Sequence, residues 1–232
     1  KGRSLQIIQD EISRLEGSIQ AFLDFARPPD LVRNHVAVQE ILQRAIDLVA
    51  GRARAQFVEL IKDYPAEPLM IYADRGQIHQ LILNLLLNAM DVLPDGGTIR
   101  IGAELISSQQ PTLAPSSISS QATDFYDISE HQAMRILHPT VAESPPAPIR
   151  WVRVSVKDSG AGIPPDVFDK IFTPFFTTKE TGTGLGLPVS QRIAKSHQGS
   201  LTARNNSDGG AEFIILLPTE PPDSDIPPPP AP

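Results

Sequence analysis

The sequence predicts an α+β domain preceded by one long helix. Three observations carry this. Residues 4–26 repeat apolar side chains at strict heptad spacing, a pattern that only a helix gathers on one side. Between residues 35 and 218, short runs of strand-like alternation take turns with stretches of helical periodicity. Two Ser/Pro-rich stretches, 107–149 and 219–232, interrupt or end that order.

Composition bounds the possibilities. The chain has 232 residues, of which 41% are hydrophobic, enough for one well-cored domain with additions. Its 23 prolines are too many for a single compact domain, and they cluster. Net charge is −7 without a Lys/Arg-rich block, so nucleic acid is not an expected partner. There are no cysteines, which excludes disulfides and thiolate metal sites and fits a reducing, cytoplasmic setting. No apolar run reaches the ~20 residues of a membrane span, so no membrane contact is expected within this stretch. The chain starts with Lys1 inside a helical pattern, which suggests a piece of a longer protein whose upstream part could carry a membrane anchor.

The first helix carries Leu5, Ile8, Ile12, Leu15, Ile19, Phe22 and Ala26 on its seam, with Asp10, Glu11, Arg14, Glu16 and Gln20 off it. Such a narrow seam favours a bundle or a dimer over packing on the helix's own domain. Pro28 and Pro29 stop it. A short strand "HVAV" follows, then a helix whose face is Ile41, Leu42, Ala45, Leu48 and Val49. "FVELI" and "LMIYA" read as strands on either side of a Pro-containing turn. Residues 74–93 form a strong helix ending at "PDGG", and "TIRIGAEL" is the next strand. Residues 107–149, with eight serines and six prolines in 43 positions, read as a largely irregular insertion. "WVRVSVKD" resumes as a half-buried strand, "LPVSQRIAKSHQG" as a helix, and "SLTARNN" and "EFIILLP" as a hairpin turned by "SDGG".

Four places along this order could carry chemistry. In "DRGQIHQLILNLLLNAM", Asp74 and Gln77 are spaced as a capping box, and Asn84 and Asn88 share one face of an otherwise apolar helix, with Gln80 a turn before. Buried carboxamides need partners, so either neighbouring backbone or a polar ligand faces them. In "KDSGAGI", a strand delivers Asp158 into a glycine turn, Gly160 and Gly162. A carboxylate there can receive a ligand amino group, or it can belong to an ordinary Asp-Ser-Gly turn. "FDKIFTPFFTTK" places Phe172, Phe175 and Phe176 between two glycine-rich loops, as a hinged lid or a plain cover over the core. "GTGLGL" runs into a helix with Pro188 in its first turn. Glycine N–H groups at a helix start can cradle an anion, although the run is neither a Walker A loop nor the dinucleotide fingerprint.

Taken together in this order, "NLLLNA", "DSGAGI", "FTPFFTTK" and "GTGLGL" resemble the N, first glycine, phenylalanine and second glycine boxes of the ATP-binding domain of bacterial sensor histidine kinases. That domain belongs to the superfamily shared with DNA gyrase, MutL and the large heat-shock chaperones. The resemblance covers residues 35–218 apart from the insertion, and "FLDFARPP" with "NAMDVLPDGGTI" looks like the nitrogen-regulation type in particular.

The resemblance implies a two-layer α/β sandwich, a mixed sheet with helices on one face (the Bergerat fold), with ATP between the helices and a mobile lid. It implies that Asp158 takes the adenine amino group, with Gly160, Gly162 and Ile163 around it. Asn88, assisted by Asn84, ligates Mg2+, with Asp91 close by. Phe176, Thr177, Thr178 and Lys179 lie near the phosphates, and Gly182, Thr183, Gly184, Leu185, Gly186 and Leu187 wrap them. Gyrase-like members that hydrolyse ATP have a glutamate where Asn84 stands. A carboxamide cannot take the proton of an attacking water, so ATP should be held for transfer to a histidine. A response regulator would then receive the phosphoryl group. That acceptor histidine is absent: none of His35, His79, His131, His138 and His197 lies in residues 1–34 or precedes an acidic residue. The expected layout is therefore 1–34 as the second helix of a dimerisation hairpin, 35–218 as the catalytic domain with insertion 107–149, and 219–232 as a tail or linker. By itself this chain is not expected to phosphorylate itself, and the longer protein would be a homodimer. Gln198 and Ala211 stand where the family more often has glycine and threonine. The competing readings are a hydrolysing ATPase of the superfamily and a kinase-inactive nucleotide-sensing or dimerisation module.

Overall fold

The computed structural model describes residues 31–107, 150–179, 182–207 and 209–220. The heptad helix, all but the first residue of the expected insertion, and the proline tail from residue 221 lie outside the described residues. Ser107, expected to open the insertion, is the last residue of a strand.

The chain order is β1 (Asn34–Ala37), α1 (Val38–Ala55), β2 (Val58–Asp63), β3 (Met70–Ala73), α2 (Arg75–Asp91), β4 (Gly97–Ser107), β5 (Arg150–Asp158), a single 3-10 turn at Phe168–Lys170, α3 (Gly186–Ser196), β6 (Ser200–Asn205) and β7 (Ala211–Pro218). Five strands form one sheet in the order β2-β4-β5-β7-β6, with β2 and β4 parallel and the other pairs antiparallel. The three helices of the described residues cover one face, and a mixed sheet with helices on one side is the architecture expected.

The strands on either side of the Pro65 turn do not pair with each other. β2 joins the edge of the large sheet, whereas β3 pairs with β1 in a separate two-stranded ladder. The rings of His35 and Tyr72 meet across that ladder, 5.2 Å apart.

The core follows from periodicity. α1 buries Val38, Ile41, Leu42, Ala45, Ile46, Val49 and Ala53, while Leu48, expected on that face, is exposed. Alternate residues of the sheet, among them Ile99, Ile101, Val152, Val154, Val156, Phe213 and Ile215, meet the helices. Truncating a fully buried leucine such as Leu42 to alanine costs roughly 2–5 kcal/mol. Trp151, Ile214 and Leu216 form a second cluster, so β7 is buried along its whole length.

α2 lies against both α1 and α3. Its cap departs from a full capping box. Asp74 Oδ1 accepts from the Gly76 and Gln77 amides at 2.9 and 3.0 Å. The return bond to Gln77 Oε1 is missing, because the Asp74 amide donates to His197 Nε2 instead, and among the described residues the buried Gln77 Nε2 has no partner. His197 thus ties the start of α2 to the end of α3. Its Nδ1 donates to the Ile193 carbonyl, which leaves Nε2 as the acceptor.

Candidate functional site

A cavity of about 400 Å³ opens between α2, the turn after β5, residues 171–179 and 182–184, and the start of α3. Asn84, Asn88, Asp91, Asp158, Gly162, Ile163, Phe176, Thr177, Thr178, Lys179, Gly182, Thr183, Gly184, Gly186 and Leu187 all line it. Two anticipated residues do not. Leu185 turns into the core just before α3, and Gly160 packs against Val92 and the Asp158 side chain.

At one end stands Asp158, the last residue of β5, with 4% of its surface exposed. A buried carboxylate needs donors, and Oδ1 has two: the Gly160 amide at 2.9 Å and the Ala211 amide at 3.2 Å. The chain turns sharply here, with Gly162 at φ +78° and Gly210 at φ +79°. Any Cβ on Gly210 would run into the Asp158 carbonyl oxygen, so this contact of two backbones requires glycine. Ala211 and Phe213 line the same end of the cavity.

At the other end, Lys179 Nζ donates to Asn88 Oδ1 at 2.8 Å and to Asp91 Oδ2 at 2.6 Å. Asp91 also accepts from Arg52 Nη2 at 2.6 Å. Burial pushes the Asp91 carboxyl up, but the hydrogen bonds and charges of Lys179 and Arg52 outweigh it and hold the group below the usual carboxylate range. Two side-chain oxygens from one turn of α2 therefore converge on a single cation, here an ammonium.

Between the two ends, Asn84 Nδ2 donates at 3.4 Å to the Gly186 carbonyl and to Ser190 Oγ, which itself donates to that carbonyl at 2.9 Å. The two asparagines thus have different partners: Asn84 bonds to α3 backbone and hydroxyl, Asn88 to Lys179.

The aromatic segment is anchored at several points. Ile171 and Phe172 pack on the core, and Phe176 lines the cavity. The Phe175 amide donates to the Gly184 carbonyl at 3.0 Å, and Gly184, at φ +67°, lies flush on the Phe175 backbone. Phe175 itself adopts φ +67° and is 60% exposed. Thr177 Oγ1 accepts from the Lys179 amide at 3.1 Å, and the Gly182 amide donates to the Lys179 carbonyl at 3.2 Å.

Arg52 and Asn205 belong to this neighbourhood and are not legible as site residues in the sequence. Arg52 sits in the last turn of α1 and reaches across 39 residues to Asp91. Nothing in its local pattern distinguishes it from a solvated helix charge.

Comparison with known proteins agrees with this geometry. A model of the histidine kinase-, DNA gyrase B- and HSP90-like ATPase family matches residues 73–221. Sporulation kinase E of Bacillus subtilis is 29% identical over 212 residues, covering 91% of this chain and 23% of that protein. The signal transduction histidine-protein kinase AtoS of Escherichia coli is 30% identical over 217 residues, covering 94% of this chain and 29% of that one. The chain thus spans under a third of either relative. Among solved structures, the catalytic domain of histidine kinase ThkA superposes with a TM-score of 0.58 at 28% identity, over 82% of this chain and 99% of that domain. ThkA in complex with the response regulator protein TrrA gives 0.64 at 26% identity, over 94% of this chain and 51% of that one.

The fold and the cavity define an ATPase-type domain with helices on one face of a mixed sheet. The chain belongs to the histidine kinase-, DNA gyrase B- and HSP90-like ATPase family, and within it to the ATP-binding catalytic domains of histidine kinases.

Proposed function

We propose that this domain binds Mg2+·ATP and delivers its γ-phosphoryl group to a histidine elsewhere in the full-length kinase, for relay to a response regulator. The observation that carries this reading is the polarity of one cavity: a buried carboxylate closes one end, and a cation-binding pair of oxygens closes the other.

Asp158 is the acceptor for the adenine amino group. Its Oδ1 is engaged by two amides, so the carboxylate is already oriented when the base arrives. The donor set at the far end fits Mg2+: Asn88 Oδ1 and Asp91 Oδ2 are hard oxygen ligands, and a cation, the Lys179 ammonium, already stands between them. Among the described residues no group of three or more His, Cys, Asp or Glu side chains gathers around a point. Mg2+ usually takes one or two protein oxygens and completes its shell from phosphates and water, so such a cage is not needed. Bound there, Mg2+ would neutralise charge on the phosphate oxygens during transfer.

Lys179, released from Asn88 and Asp91, pairs with the phosphates. The amides of Gly184 and Gly186 supply further donors close to the start of α3, where the helix dipole favours negative charge. Asn84 spends its amide on α3 and carries no basic oxygen that could take a proton from water. Hydrolysis should therefore be slow relative to transfer to a histidine. In that transfer the P–O bond to ADP breaks, a P–N bond to the imidazole forms, and the imidazole N–H proton is released. The heptad helix of residues 4–26 would pair with a second copy in a hairpin bundle, which gives the longer protein its dimer. ThkA, a relative, forms a complex with a response regulator, which supports the same class of partner here.

The test is incubation of the full-length kinase with ATP and Mg2+, followed by assay for acid-labile phosphate. Phosphohistidine in the wild type and its loss in Asn88→Ala support transfer. Rapid release of inorganic phosphate without phosphohistidine would indicate a hydrolase.

A further inference from the structure

Asn205, the last residue of β6, makes a reciprocal pair of hydrogen bonds with the main chain of Ile163. The Ile163 amide donates to Asn205 Oδ1 at 2.8 Å, and Asn205 Nδ2 donates to the Ile163 carbonyl at 2.8 Å. The two residues are 42 positions apart, and the carboxamide engages both polar groups of one peptide residue as a neighbouring strand would. Gly162, which precedes Ile163, sits at φ +78°, and a Cβ on it would lie 2.9 Å from Asn205 Oδ1 and 3.3 Å from the Gly210 carbonyl oxygen.

This clamp belongs to a larger contact. The turn that follows β6 is closed by the Asn206 amide donating to the Gly210 carbonyl at 3.0 Å. Gly210 then lies on the Asp158 backbone, and the Ala211 amide donates to the Asp158 carboxylate. The β6–β7 turn and the loop after β5 are therefore joined at two points, the Asp158 end and the Ile163 end. Gly162, Ile163, Asp158 and Ala211 all line the cavity, whereas Asn205 does not.

We infer that Asn205 is a positioning residue for the base-binding end of the cavity: it fixes the Gly162–Ile163 turn in the shape that admits the adenine ring, without touching the nucleotide. The inference rests on the nucleotide-binding reading above. Three features favour positioning over mere stability. Asn205 is exposed, so its two bonds compete with water and contribute little to folding. The segment it holds includes Gly162, whose backbone is free to take either sign of φ and needs support to keep one shape. Held rigid, that wall does not need to be ordered by the ligand, and preorganisation of this kind raises affinity.

The experiment uses the whole chain, with Asn205→Ala and Asn205→Asp beside the wild type. Calorimetry measures adenosine, ATP with Mg2+, and inorganic tripolyphosphate with Mg2+. Amide hydrogen exchange follows Ile163 without ligand, and thermal unfolding is recorded for each protein. Asn205→Ala should weaken adenosine and ATP by the same factor, about tenfold, and speed Ile163 exchange. Tripolyphosphate binding and the melting temperature should stay at wild-type values. Asn205→Asp keeps the acceptor for the Ile163 amide and loses the donor, so it should recover part of the affinity and of the exchange protection. If the wild type binds ATP and Asn205→Ala binds it equally well, the inference is overturned and the nucleotide-binding reading stands. Equal loss for adenosine and tripolyphosphate with a lowered melting temperature also overturns it, in favour of a purely structural role. If the folded wild type binds no nucleotide, the reading of the site fails, and the assignment of Asn205 fails with it.

Discussion

The ammonium of Lys179 lies 2.8 Å from the side-chain oxygen of Asn88, the residue assigned to hold Mg2+. Lys179 thus occupies the side-chain oxygen that the proposed function gives to Mg2+. On the proposed function, Mg2+·ATP would exchange one cation for another at Asn88 and Asp91, and the displaced lysine would pair with the phosphates. Lys179→Met should therefore lower affinity for ATP about tenfold through loss of a charge-assisted contact, while adenosine affinity stays at the wild-type value. Parallel titrations with the two ligands check this; an equal loss for both would place Lys179 outside the phosphate end.

Gly210 is a stringent test of how closely the β6–β7 turn sits on the Asp158 end of the cavity. It combines φ +79° with a backbone contact that leaves no room for a side chain. Gly210→Ala should cost roughly 1–3 kcal/mol from its backbone conformation alone, with further loss from the collision with Asp158. Urea unfolding gives the stability, and the same sample should show weakened adenosine binding. An unchanged unfolding midpoint would contradict the contact.

His197 predicts a pH dependence of stability. Burial pushes its pKa down from 6.5; the bond to the Ile193 carbonyl and the charge of Asp74 act upward, and the charge of Arg33 acts downward, with a net lowering. Protonation of Nε2 would also leave the Asp74 amide facing another donor. The group is thus held neutral in the fold, and the unfolded chain binds the proton more readily. Its contribution is fully present above pH 6.5 and is lost as pH falls below that toward the lower folded value. Stability should rise with pH in that acidic window, by at most about 1.4 kcal/mol per pH unit for one proton. His79 is lowered as well, by burial and by Arg44, and adds a slope of the same sign. Denaturation midpoints followed across the window should show a reduced slope in His197→Ala, not an abolished one.

Much of the site was legible because its signals are local. The four-residue spacing of Asn84 and Asn88 on an apolar helix, a strand running into Asp158 and two glycines, and a glycine run opening α3 each lie within a few residues. Their order along the chain then made the combination specific. What escaped depends on contacts between distant segments. Asp91 and Lys179 were expected at the site, but Arg52 was not, and the three come together only in the fold. Asn205 looked like the end of a strand, since its partner is 42 residues away. The same reason explains β2 and β3: each was evident as a strand, but their pairing depended on β4 and β1, and they went to different sheets. The capping box was read from spacing, and His197, 123 residues on, took the amide that Gln77 would have filled. Leu185 sits among glycines that line the cavity, but its apolar side chain follows the rule for burial and enters the core.

The most direct measurement is calorimetric titration of this chain with ATP, with and without Mg2+, beside Asn88→Ala and Asp158→Ala. Binding should require Asp158, and the gain from Mg2+ should vanish in Asn88→Ala while binding without Mg2+ persists. A folded wild-type sample that does not bind ATP, or binds it equally well without Asp158, would contradict the assignment of this cavity as a nucleotide site.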